Sequence, residues 1–216
     1  MKAKIKFFII LLAFFTSTTH AQNTSYQHLD TLVNDFVKEL QANYIDTICI
    51  FRNYCVGCIH VFDNDNDKCN YSSIYIPTYI IWLKQGRTFL TQKDNCFDYS
   101  TIEIDSIFLW NFFFKNQNYI KKEKVKPFEY ITCENHKKKV YSVLIDHSKN
   151  QDFKMIINKR VLDMHFNEFD LKEEYDGSIN INYLYNQKLK SKKIVDELTQ
   201  FVQNIEDKQR LTKSKR

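Results

Sequence analysis

The chain is 216 residues long, carries a formal charge of +5, and holds only 3 Gly and 2 Pro beside 15% aromatic residues. That length suits one domain, and the composition excludes collagen-like, Pro-rich and Gly/Ser-linker proteins. Gly57, Gly86 and Gly177 stand too far apart to build a glycine-rich phosphate loop or a nucleophile elbow, where the backbone approaches a phosphate or turns so sharply that a Cβ would block it.

The first 21 residues read as a secretory signal peptide. Lys2, Lys4 and Lys6 make a basic start, residues 7–15 are uninterruptedly apolar, and Thr19, His20 and Ala21 precede a cleavage point before Gln22. Nine apolar residues are about half of the roughly 20 that a bilayer span requires. The expectation is a secreted or periplasmic protein with no membrane span after cleavage. Export also changes the charge. Residues 22–207 carry 23 basic against 26 acidic side chains, a balance of −3, because five basic residues sit between Lys208 and Arg216. A folded body of that charge is not a nucleic-acid footprint, and the lysines at 121–126 and 137–139 are interleaved with or follow glutamates, as on a solvated face.

Along the mature chain, residues 25–41 place Leu29, Leu32, Val33, Phe36, Val37 and Leu40 at helical spacing, which predicts a helix with one apolar stripe. Residues 47–51, 73–83 and 87–91 are rich in Ile, Tyr, Phe and Thr and read as strands. Lys84, Gln85 and Gly86 turn the last two into a hairpin. Residues 107–114 are apolar all round except Asn111, which fits a short buried helix capped by Asp105 or Ser106, or a buried strand. Residues 139–146 and 153–157 read as a further pair joined by a polar turn over 147–152. A second amphipathic helix is expected over 188–208, where Ile194, Val195, Leu198, Phe201, Val202 and Ile205 repeat the stripe. The reading is one exported α+β domain over 22–208, a mainly antiparallel sheet with an N-terminal and a C-terminal amphipathic helix, followed by a disordered basic tail over 209–216.

Six cysteines in an exported chain read first as disulfides. Cys55, Cys58, Cys69 and Cys96 are the candidates for two bridges, while Cys49 lies inside an apolar strand and is a candidate buried thiol. The pair Cys55-Val56-Gly57-Cys58 is also a redox couple if it opens a helix, because the helix dipole favours the first thiolate. The segment Ile76-Pro77-Thr78, with the apolar strand and Gly86 after it, resembles the proline segment of the thioredoxin family, where a cis-proline precedes a strand and a glycine turn. The resemblance implies Cys55 as nucleophilic thiol, Cys58 as resolving thiol and Pro77 as the proline facing them. The spacing opposes it. Only 18 residues separate Cys58 from Pro77, and that family places a helix, a strand and a further helix there.

Metal chemistry finds no complete ligand set. Cys55, Cys58, Cys69 and His60 lack the second well-separated pair of a structural zinc site. Asp63, Asp65 and Asp67 match the first positions of an EF-hand loop, but Lys68 stands where the turn needs Gly and Ile74 where the bidentate Glu belongs. No metal and no cofactor are expected. Asp163, Glu168 and Asp170 surround His165 in sequence, which reads as a solvated edge or as a patch that raises its pKa. These observations favour a non-enzymatic binding or envelope-associated module, stapled by disulfides, whose ligand or protein partner the sequence does not identify. The alternative is a thiol–disulfide oxidoreductase using Cys55 and Cys58.

Overall fold

The computed structural model describes residues 24–58, 75–94, 97–105 and 107–215. The signal peptide, the aspartate run at 63–67, His60, and the disulfide candidates Cys69 and Cys96 lie outside the described residues.

Helix α1 (Thr24–Ala42) is followed by β1 (Thr47–Val56), β2 (Thr78–Lys84), β3 (Arg87–Lys93), β4 (Phe97–Tyr99) and β5 (Ile102–Ile104). Then come α2 (Ile107–Ile120), β6 (Glu129–Glu134), β7 (Lys137–Ser142), β8 (Ser148–Ile157), β9 (Arg160–Asn167) and a 3-10 turn at Glu168–Leu171. The short β10 (Glu174–Tyr175) and β11 (Ser178–Ile179), α3 (Tyr183–Gln187), α4 (Lys190–Asp207) and β12 (Lys213–Lys215) complete the chain. The main sheet runs β12-β4-β3-β2-β1-β8-β9, with β5 also on β3, and its pairings are antiparallel. The protein is an α+β domain.

Both faces of the central strands are covered, which explains their nearly continuous apolar sequences. Ile48 and Ile50 of β1, Ile80 and Trp82 of β2 and Ile156 of β8 join Leu29, Val33, Val37 and Leu40 of α1 in one core. Their alternate neighbours Cys49, Phe51, Tyr79, Ile81, Phe153 and Met155 form the second core, with Leu109, Trp110 and Phe113 of α2 and Ile194, Val195, Leu198 and Val202 of α4. Strand periodicity of two sends each set to its own side, so the layers run helix, sheet, helices. Trp110 keeps its indole N–H satisfied within this core by donating to Thr88 Oγ1 at 2.9 Å. Residues 107–114 are therefore the start of a helix, and it continues to Ile120.

One expected pairing is wrong. Residues 139–146 do not pair with 153–157; Lys139 to Ser142 pair back onto Glu129 to Thr132. The expected turn over 147–152 is largely strand, because β8 begins at Ser148 and lies between β1 and β9. The true turns are Asn135-His136 and Asn158-Lys159, each with both φ values positive, as at Gln85-Gly86. Two-residue hairpins need that left-handed pair, and asparagine tolerates it almost as glycine does. The tail also differs from expectation. Lys213 to Lys215 pair with Phe97 to Tyr99 at the sheet edge, where bare strand groups otherwise face solvent.

Candidate functional site

Strand β1 leaves the core near Arg52 and ends in the Cys55–Cys58 disulfide. Asn53 and Cys55 face the α4 side, since they continue the alternation of Cys49 and Phe51. Cys55 lies opposite Lys149 of β8. Gly57 holds φ +76° and packs under His147, so that a Cβ there would fall 2.3 Å from the imidazole Nδ1. The sequence Val56-Gly57 thus lets the chain turn beneath a histidine ring and close the bridge.

Beside the bridge is a depression of about 270 Å³ lined by Cys55, Tyr75, Pro77, Lys149, Gln203 and Glu206. A second, of about 500 Å³, is lined by Tyr75, Gln92, Tyr99, Glu206, Gln209 and Lys213. Tyr75 and Glu206 belong to both. The wall between them is a network of phenols and carboxylates. Tyr79 donates to the Glu206 carboxylate, Tyr99 donates to Asp94 Oδ2 at 2.8 Å, and Gln92 Nε2 donates to the Tyr75 hydroxyl at 3.4 Å. The other oxygen of the fully buried Asp94 accepts the Phe97 N–H at 2.7 Å. Burial pushes the Tyr75, Tyr79 and Tyr99 phenols upward, and the neighbouring carboxylates add to the shift. All three remain neutral hydroxyls at physiological pH. Lys213 reaches this site only because β12 closes the edge, and its ammonium sits 5.1 Å from the centre of the Phe97 ring.

Cys55 and Pro77, two of the sequence candidates, meet in the smaller depression, with Cys58 exposed beside them. No helix begins at Cys55, which lies at the end of strand β1. Cys49 is a buried free thiol, as its strand position suggests, and burial pushes its pKa well up. Cys133 is a free, exposed thiol on β6. Tyr75, Gln92, Asp94, Tyr99 and Glu206 escaped the sequence reading. They carry no shared motif, and the Tyr79–Glu206 contact spans 127 positions.

The acidic patch around His165 resolves differently from its sequence. His165 Nδ1 lies 2.7 Å from Asp152 Oδ1 on β8, and this hydrogen bond is the main cause of its raised pKa. Asp170 adds a smaller electrostatic push while its carboxylate accepts the Phe128 N–H at 2.9 Å. Thr78, Arg52, Asp152 and His165 occupy one row across β2, β1, β8 and β9, and Arg52 pairs with Asp30 of α1. Arg52, Asp152 and His165 of this row line a cavity of about 400 Å³ between α1 and the sheet. Among the described residues no group of three or more His, Cys, Asp or Glu is arranged to hold a metal. No helix among them is long and apolar enough to cross a membrane. Compared with known protein families, curated proteins and solved structures, the chain matches none.

Proposed function

We propose that this is a non-enzymatic binding module of the secreted or periplasmic space, taking a small hydroxyl-rich ligand of the saccharide class in the paired depressions. The observation that carries the reading is the shared wall. Tyr75 and Glu206 border both depressions, and the amides of Gln92, Gln203 and Gln209 add neutral donors and acceptors between the Glu206 carboxylate and the lysines at the rims, Lys149 and Lys213. Phenols held neutral and already oriented by buried partners lose little freedom on binding, and rings beside hydroxyl donors suit a ligand with both apolar and hydroxyl faces. The Cys55–Cys58 bridge fixes the rim. Titration of the isotope-labelled protein with a panel of neutral oligosaccharides should give saturable amide shifts around Tyr75, Tyr99 and Glu206. Tyr75→Phe should then weaken binding by about tenfold, the cost of roughly one hydrogen bond in a desolvated site. A panel that moves none of these amides rejects the reading.

A second reading is favoured by one observation: Cys55 and Cys58 are bonded to each other, with His147 packed on the intervening Gly57 and Lys149 opposite Cys55. The lysine at that place favours a thiolate without a helix. For a thiol–disulfide oxidoreductase, mild dithiol reduction of the folded protein should open this bridge reversibly, and the Cys55 thiol should alkylate readily below pH 7. A bridge that opens only on unfolding makes the pair a staple.

A further inference from the structure

The two edges of the main sheet are treated differently. One is closed by the chain itself, through β12 on β4. The other is β9, an eight-residue strand whose outer side bonds to no described residue. The register of the β8–β9 hairpin fixes which groups are free there. Ile157 and Arg160 flank the two-residue turn, and the pair closing such a turn exchanges both backbone bonds. Bonded pairs then alternate, so Arg160, Leu162, Met164 and Phe166 point their backbone groups at β8. Val161, Asp163, His165 and Asn167 point theirs outward. An open row of this length is a template for another strand.

We propose that β9 pairs antiparallel with β9 of a second copy of this chain, joining two sheets into one across a two-fold axis at Met164. The choice of occupant rests on the strand's own charge pattern. Centred on Met164, the outward pairs are Asp163 opposite His165 and His165 opposite Asp163, with Val161 opposite Asn167. Between them Met164 faces itself, apolar against apolar, and Leu162 lies opposite Phe166, whose ring is already buried in its own core. Opposite charges directly across a ladder stabilise it, and like groups there do the reverse. Sliding the copies by two residues sets Asp163 against Asp163 or His165 against His165. The strand is thus complementary to itself in one register. Asp163 and His165 have side chains 63% and 58% exposed, free to meet such a partner while keeping their contacts to Lys154 and Asp152. Two exposed apolar residues, Phe114 and Val161, also border this edge in a cleft of about 770 Å³.

Two measurements on the mature protein test the dimer. Sedimentation should show a reversible monomer–dimer equilibrium. His165→Pro should weaken it by at least about tenfold, since two symmetry-related outward N–H donors are lost while no bond to β8 is broken. Met164→Cys should give, on mild oxidation, a covalent dimer whose mapped link joins residue 164 to residue 164. Facing residues at a non-bonded position lie about 4.5 Å apart at Cα, within the reach of a disulfide. Leu162→Cys, facing Phe166, should give no such self-link. A protein that stays monomeric, or a dimer that survives His165→Pro, or the absence of the 164–164 link, overturns the proposal; if His165→Pro does not fold, the mapped link alone decides.

Discussion

Asn186 is fully buried with both ends of its amide engaged. Its Nδ2 donates to the carbonyls of Lys126 and Asp170 at 2.8 and 3.0 Å, and its Oδ1 accepts the Lys126 N–H at 3.0 Å. Asn182 donates to Pro127 O and Glu129 Oε2, while Asn180 donates to the carbonyls of Asp170 and Lys172. Three asparagines thus tie the irregular stretch before β6 to the stretch after β9, where no ladder satisfies the backbone. Truncating Asn186 takes the partner from both the N–H and the C=O of Lys126, while the Asp170 carbonyl keeps Asn180. Asn186→Ala should cost about 2–4 kcal/mol by urea unfolding, the penalty of orphaning buried polar groups; a loss under half a kilocalorie would show that water replaces the amide. The sequence holds 19 asparagines, and nothing local separates these three from the ones in turns. A polar core residue is defined by partners some 16 to 60 positions away, which periodicity does not report.

At the level of elements, helices and strands were legible where one face had to be apolar, and pairings were legible where a glycine marked the turn. Gly86 identified the β2–β3 hairpin; Asn135-His136 and Asn158-Lys159 adopt the same left-handed pair without glycine and went unread. That omission misassigned the partners of β7 and β8. Of the candidate site, Cys55 and Pro77 were visible because cysteine and proline are rare and informative, whereas Tyr75 and Tyr99 read as ordinary strand aromatics. The two well-placed glycines allow a direct comparison. Gly86 has φ +77° and open space around its missing Cβ, but Gly57, at φ +76°, has the His147 ring there. Gly86→Ala should cost about 1–2 kcal/mol, the left-handed penalty alone. Gly57→Ala should cost more in thermal or denaturant unfolding, and the excess should vanish when both are compared in a His147→Ala background. An excess that persists without the imidazole would mean the ring does not pack on this loop.

Across the whole molecule, one sheet is covered by α1 on one side and by α2 and α4 on the other. Its boundaries differ in kind: one edge is closed by β12, and the other, β9, has no strand partner on its outer side among the described residues. The larger depression lies at the self-closed edge and the smaller one reaches Lys149 of β8, but no residue of β9 lines either. Loss of pairing at β9 should therefore leave their lining intact, and the dimer and ligand proposals stand or fall separately.

Strand β12 follows the other described elements, yet it finishes the edge of β4 and, with Leu211 just before it, brings Lys213 to the larger depression. A polypeptide is made from its N-terminus, so during synthesis the central strands and both cores precede their edge cover. Until the segment carrying Lys213 emerges, β4 has no outer neighbour and the larger depression has no far wall. That half of the site is therefore completed after the body it rests on, and a chain cut before Lys213 would yield a folded body with an unfinished rim.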